Sequence, residues 1–309
     1  MIEIRNVLCP VDFSDFSKRA LDHAIAIARR YESIVTVLYV CPSIPALAYA
    51  AGIPTEQRTV LTTMDLERLE SELRQFADGG ETSRIQVRPA VREGSVVAEV
   101  LDEAASMKAD LLTVGTHGRS GFERLFLGSV TEKLLRKACC PVLTVPKHNP
   151  ETIPARPELF KHILCPIDFS DCSMAALRYA TSMAQENDAE LVVLYVVPND
   201  LVPLPGQSPD DSVDHTISVA DFFLRREEHV RRLLREAVPK PARTYCSVET
   251  TMTHGRPSTE ILRLADEHQS DLIVIGVRGR GAADLTVFGS TTQQVVRRAA
   301  CPVLTIRQG

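Results

Sequence analysis

Apolar runs of four to six residues alternate with amphipathic stretches along most of the chain. Val7 to Val11 is β-branched and leucine-rich, and after it Leu21, Ala24, Ile25 and Ala28 recur on one helical face, which predicts a strand and then a helix. The pattern continues with a strand at "IVTVLYV", a polar and Pro-rich excursion ending in a helix near Met64 to Phe76, and a strand near Ile85 to Val91. A helix from about Val96 to Ala105, the strand "LLTV", the helix "VTEKLLRKA" and a last strand "PVLTV" complete the first half. Strictly alternating β and α elements with apolar strands imply a parallel sheet covered on both faces, and right-handed crossovers make such a sheet doubly wound.

The chain then repeats itself. "RNVLCPVDFSDFS" (Arg5 to Ser17) returns as "KHILCPIDFSDCS" (Lys161 to Ser173), eight of thirteen residues identical at an offset of 156. "ADLLTVGTHG" returns as "SDLIVIGVRG" and "CPVLTV" as "CPVLTI" at an offset of 161, so the second copy carries five extra residues between its early and late blocks. The expected organisation is one domain over 1–147, a Pro-rich linker over 148–159 containing much of "PKHNPETIPARPE", and a second domain over 160–309. A length of 309 residues suits two cores of ordinary size.

Composition narrows the function more by exclusion than by indication. A net charge of −5 argues against a general nucleic-acid binder. Ser33 to Thr55 runs 23 residues without a charge, but Pro42, Pro45, Gly52 and Pro54 break it, so a strand and an apolar loop are expected there, not a membrane span. The eight cysteines show no CxxC pair and no zinc spacing, and "MIEIRNVLCPVDFS" is charged where a secretory leader would be apolar. Reduced thiols in a cytoplasmic protein are expected, with Cys9, Cys140, Cys165 and Cys301 as small buried residues. The adjacent Cys139 and Cys140 are the pair that could sense oxidation.

Candidate chemistry sits at two places in each copy. After the fourth strand come Gly115, two residues, Gly118, nine residues, Gly128 and Ser129; in the second copy the same spacing gives Gly276, Gly279, Gly289 and Ser290. Glycine lets backbone N–H groups approach a ligand, and a helix starting at Gly-Ser offers free N–H groups at its positive end, so the pattern suits an anion such as a phosphate. Arg119, and Arg278 and Arg280 in the second copy, add positive charge. The competing reading takes "SVTE" and "STTQ" as capping boxes closed by the serine. Asp12 and Asp168 end the first strands of the two copies; each either caps the next turn or lies at the base or sugar end of a nucleotide. If first and fourth strands are neighbours, Asp12 faces one crevice with Gly115, and Asp168 another with Gly276. Pro10 and Pro166 suggest that regular pairing ends early beside that crevice.

These residues carry a resemblance. Over nearly the whole chain, except the linker and the excursions after Val40 and Val196, each half resembles a universal stress protein domain of the ATP-binding type. The resemblance rests on the glycine spacing together with "CPVDFS" and "CPVLTV". It implies an α/β fold of two tandem doubly wound, parallel five-stranded sheets, Rossmann-like and adenine nucleotide alpha hydrolase-like, joined as a pseudo-dimer through the final strands. It also implies Pro10, Asp12 and Val40 near adenine, and Gly115, Gly118, Gly128, Ser129 and Val130 around ribose and phosphates. The matching second set is Pro166, Asp168, Val196, Gly276, Gly279, Gly289 and Ser290. Two positions differ between copies: the first has His117, not a fixed cation, where the second has Arg278, and Val130 where the second has Thr291. The implied ligand is ATP, with or without Mg2+. A homodimer and an unnamed protein partner are compatible with this plan, whereas nucleic acid and membrane are not expected.

Turnover is not expected. The sequence has no Walker A lysine motif, kinase motif set, HEXXH or His-x-Gly-His, and His117 and Glu123 are replaced at the matching positions by Arg278 and Asp284. A regulatory ATP-binding protein of the stress response is the expected class, with a slow ATPase or self-phosphorylating switch as the alternative and an empty scaffold as the third reading.

Overall fold

The computed structural model describes residues 2–42, 62–78, 85–117, 127–146, 160–197, 219–239, 246–279 and 288–307. They divide into two compact units, one drawn from Glu3–Leu159 with Pro302–Thr305, the other mainly from Phe160–Cys301 with Ile306–Gln308.

The first half runs β1 (Asn6–Val11), α1 (Asp15–Tyr31), β2 (Ile34–Pro42), α2 (Thr63–Ala77), β3 (Gln86–Gly94), α3 (Val96–Ser106), β4 (Leu111–Gly115), α4 (Ser129–Lys137) and β5 (Val142–Val145). The sheet order β3-β2-β1-β4-β5 is parallel throughout, with Val7 opposite both Val35 and Leu111. Chain order reverses between β1 and β4, which makes that boundary the switch point. The second half repeats the plan: β6 (His162–Pro166), α5 (Asp171–Asn187), β7 (Glu190–Val197), α6 (Val219–Ala237), β8 (Val248–His254), α7 (Pro257–Glu267), β9 (Leu272–Gly276), α8 (Ser290–Arg298) and β10 (Val303–Ile306). There β6 lies between β7 and β9, with Ile163 opposite Leu191 and Leu272. Val303–Thr305, counted in the first unit, lies antiparallel to β5, with Leu304 opposite Leu143.

The helices form where the apolar periodicity places them. On α1 the face of Leu21, Ala24, Ile25 and Ala28 is buried; Ser14 caps its start, accepting from Ser17 N, and Glu32 ends it in the left-handed conformation. Such a cap contributes about 1 kcal/mol. Leu8, Leu38, Leu112 and Leu143 are fully buried in the first half and Ile163, Leu164, Leu177 and Met183 in the second. Each side chain of this size contributes roughly 1.5–3 kcal/mol on burial, enough to fix strand order at the switch point. Among the described residues no helix is long and apolar enough to cross a membrane. The segments after Val40 and Val196 fall largely outside the described residues, as does most of the linker.

Cys9, Cys140, Cys165 and Cys301 are all buried, and all eight cysteines are unbridged. Burial pushes the Cys9 and Cys165 thiols far up and those of Cys140 and Cys301 to about 12, whereas Cys139 is exposed.

Candidate functional site

β1 and β4 are adjacent, so Asp12 and Gly115 stand at the carboxyl ends of neighbouring strands, as do Asp168 and Gly276 beyond β6 and β9. The β1–β4 ladder stops at Leu8 and the β6–β9 ladder at Leu164, two residues before Pro10 and Pro166, so the strands part where proline cannot donate. On the other side pairing continues, with Pro10 opposite Leu38 and Pro166 opposite Leu194. Early termination is therefore confined to the crevice side. Val40 and Val196, both buried, lie at the carboxyl ends of β2 and β7.

Each aspartate organises the turn after its strand. Asp12 Oδ1 accepts from Ser14 N at 3.1 Å and Ser14 Oγ at 2.5 Å, and Asp168 Oδ1 does the same with Ser170. The helix caps are Ser14 and Ser170 themselves, so the carboxylates hold the turn and do not cap the helix. Phe13 and Phe169 occupy the left-handed region at φ 62°, a rare conformation for a bulky residue. Their rings lie against Tyr39 (centroids 5.0 Å) and Tyr195 (5.3 Å). These aromatic pairs escaped the sequence reading; the only available signal was that "DFS" occurs at the same place in both copies.

The glycine corners are tight. An ideal Cβ on Gly115 would stand 3.1 Å from Phe16 O, and one on Gly276 would stand 2.8 Å from Cys172 C. On Gly279 a Cβ would stand 2.5 Å from Asp168 Oδ2, which places that carboxylate directly against the second loop. Gly118 and Arg119 in the first loop, Glu123, and Arg280 and Asp284 in the second lie outside the described residues.

The capping-box reading of "SVTE" and "STTQ" is corrected. Gly128 and Gly289 are the N-cap residues, Ser129 and Ser290 are already helical, and neither α4 nor α8 has a side-chain cap bond. The physical reason is tertiary: Gly128 N donates to Thr116 O at 2.8 Å and Gly289 N to Val277 O at 2.9 Å, which fixes the chain before the serine is reached. Thr131 Oγ1 and Thr292 Oγ1 donate to Gly115 O and Gly276 O, both at 2.8 Å, and tie each helix start to its strand end. The N–H groups at Ser129–Val130 and Ser290–Thr291 thus belong to first turns whose N-cap glycine provides no side-chain cap, beside the switch point. His117 stacks near Phe16 with centroids 5.7 Å apart and has Nδ1 3.0 Å from Thr116 Oγ1; Arg278 holds the matching place in the second half.

Two doubly wound halves, each with a glycine-ended strand and a glycine-started helix at its switch point, define a duplicated protein of the Rossmann-like α/β class. The universal stress protein family model matches residues 3–146 and 159–307, and the chain belongs to that family. A universal stress protein of Mycolicibacterium smegmatis is 27% identical over 305 residues, covering 97% of this chain and 96% of its own length. One from Methanocaldococcus jannaschii is 34% identical over 148 residues, 48% of this chain and 85% of its own. The crystal structure of a universal stress protein from Archaeoglobus fulgidus has the same fold, at a TM-score of 0.66 and 24% identity, covering 99% of this chain and 97% of that one.

Proposed function

We propose that each half binds an adenine nucleotide, ATP in the first instance, and that the chain is a regulatory binding protein of the stress response, not a catalyst. The observation that carries this reading is the pair of first turns at Ser129 and Ser290, each begun by an N-cap glycine that offers no side-chain cap bond and opening beside strand ends where Asp12 and Asp168 stand. A helix start of this kind, on a glycine-lined corner, is suited to phosphate oxygens. The residues fit the ligand: Gly279 leaves room beside Asp168 that a Cβ would fill, and the half-buried Phe13 and Phe169 rings, backed by Tyr39 and the buried Tyr195, supply apolar area next to each aspartate. On this reading Pro10, Asp12 and Val40 with their counterparts Pro166, Asp168 and Val196 surround the base and sugar. Gly115, His117, Gly128, Ser129 and Val130, and Gly276, Arg278, Gly279, Gly289, Ser290 and Thr291, surround the phosphates. Magnesium, where present, arrives with the polyphosphate. The nucleotide-bound state is the form a protein partner reads, and family membership supports the link to stress.

The test is native mass spectrometry of the purified chain followed by thermal unfolding with ATP, ADP, AMP, cyclic AMP and GTP. At one hundred times the dissociation constant, a ligand that binds only the folded state adds about 2.7 kcal/mol. No shift with any adenine nucleotide would defeat the reading. A single-turnover assay with labelled ATP addresses catalysis: release of ADP or labelling of the protein at one equivalent would replace the binding-module conclusion with an ATPase or a self-phosphorylating switch.

A further inference from the structure

The two outer strands of the sheet order, β3 and β8, each pair on one side only among the described residues. Strand geometry decides which residues line the other side, because successive main-chain groups along a strand point alternately to its two flanks. Leu191 N donates to Ser247 O at 2.8 Å and Gly255 N to Val197 O at 3.1 Å, so the odd-numbered residues of β8 face β7. Val248, Thr250, Met252 and His254 therefore turn their N–H and C=O groups outward, and among the described residues no strand takes them. On β3 the outward set is Val87, Pro89, Val91 and Glu93: Ile34 N donates to Arg5 O in β1's direction, which leaves Val35, opposite Val87, to bond the even-numbered residues of β3.

An open edge is a template for another strand, and the two edges are not alike. The offset of 161 sets Thr250 on Pro89, Glu249 on Arg88 and Thr253 on Arg92. Pro89 stands at an outward position, so it removes a donor from the edge and none from the pairing with β2. Thr250 restores that donor on β8, and "VETTMTH" contains no proline, lysine or arginine.

The charges identify the partner. Outward residues meet outward residues in an antiparallel ladder, and a two-fold axis through Thr251 engages the whole of β8. It sets Val248 opposite the second copy's His254, Thr250 opposite its Met252, Thr251 opposite its Thr251 and Glu249 opposite its Thr253, with no like charges face to face. The same operation on β3, through Ala90, sets Arg88 opposite the second copy's Arg92 on both sides of the axis and lacks the donor at Pro89. One edge is thus built against pairing with itself and the other is open to it.

We propose that β8 is a dimerisation edge, at which two copies of the chain join antiparallel through Val248–His254 about a two-fold axis at Thr251. The proposal uses neither crevice and does not depend on the nucleotide reading.

The test is sedimentation equilibrium of the full chain over about a hundredfold range of concentration, with two variants beside it. The unaltered chain is expected to reach twice the chain mass at the upper end. Thr250→Pro copies the first half's residue at an outward position, so it should leave the pairing with β7 intact and weaken the dimer about tenfold or more. Thr251→Cys places two thiols across the axis at a pair whose Cα atoms lie about 4.5 Å apart, within disulfide reach, so mild air oxidation should link two chains well beyond the level seen with the parent's own cysteines. A monomer at every concentration of the unaltered chain would overturn the proposal, as would a dimer undiminished in a Thr250→Pro chain whose circular dichroism is native. A dimer whose Thr251→Cys form cross-links no more than the parent places the contact elsewhere and overturns it too. If Thr250→Pro does not fold, the Thr251→Cys result decides: cross-linking above the parent supports the edge, and its absence overturns it.

Discussion

Replacing Gly276 by alanine should destabilise the second half, whereas the same change at the equivalent Gly115 should be close to neutral. The nearest atoms to a new Cβ at 276 are Cys172 C at 2.8 Å, Ser173 N at 2.9 Å and Cys172 O at 3.0 Å, all main-chain atoms in the first turn of α5. No rotamer change relieves such a contact, so helix or strand has to shift. At 115 the nearest atoms are Phe16 O at 3.1 Å, His117 O at 3.2 Å and Phe16 C at 3.3 Å. Ordinary contact begins at 3.4 Å, so the overlap is about 0.6 Å in the first case and 0.3 Å in the second. Neither glycine has positive φ, so the cost is steric alone. Overpacking of this kind costs about 1–3 kcal/mol, and the lost freedom of the unfolded chain returns about 0.4–1 kcal/mol. The net expectation is about 2 kcal/mol lost for Gly276→Ala and within about 0.5 kcal/mol of zero for Gly115→Ala. Urea unfolding followed by circular dichroism gives the total, and hydrogen exchange of peptides from α5 and β9 against those from α1 and β4 locates it. A loss at Gly115→Ala equal to or larger than that at Gly276→Ala would refute the steric argument.

Three further outcomes follow from the same contacts. His23 is partly buried and burial lowers its pKa, while its Nδ1 lies 2.9 Å from Arg19 O. The unfolded chain therefore takes up the proton first, and stability present above about pH 6.5 is lost as the pH falls from there towards the folded value, by at most about 1.4 kcal/mol per pH unit. His23→Gln should flatten the fall in urea midpoint between pH 7 and pH 5, and an unchanged slope would remove this histidine from the account. Asp168→Ala should cost about 1–2 kcal/mol through loss of the two Ser170 bonds, whereas Asp168→Asn, which keeps an acceptor at Oδ1, should cost under about 0.5, as read by thermal unfolding. Peptide mapping after brief alkylation at pH 8 should find Cys139 modified well before Cys140, whose buried thiol is pushed up to about 12; the reverse order would contradict the packing.

Element type and order were legible in the sequence because periodicity and burial report the same physics. The predicted strand Val7 to Val11 is Asn6–Val11, the helix Val96 to Ala105 is Val96–Ser106, and "VTEKLLRKA" begins one residue early at Ser129. What sequence could not supply was long-range choice. That β1 pairs with β4, with Val7 opposite Leu111, depends on packing between segments a hundred residues apart. The capping boxes were misread for the same reason: a serine before "VTE" looks like an N-cap until Gly128 is tied to Thr116 O by a contact that no local pattern encodes. Thr131 and Thr292 look like ordinary helix residues until the strand ends they meet are known.

The comparison of halves separates what the fold imposes from what it leaves open. The Asp–Ser turn bonds match at 2.5 Å and 3.1 Å in both copies, the threonine ties at 2.8 Å, and the left-handed phenylalanines at φ 62°. These features combine main-chain geometry with short polar side chains, and changing any of them disturbs the junction of strand and helix. Side chains just past the strand ends differ between the copies: His117 or Arg278 two residues beyond Gly115 or Gly276, and Pro146 or Arg307 one residue beyond Val145 or Ile306, follow the same backbone bonds. A duplicated fold can therefore keep two equivalent strand–helix junctions and still carry different side chains beside them, because the junction is built by amides, glycines and a few short polar side chains that recur in both copies.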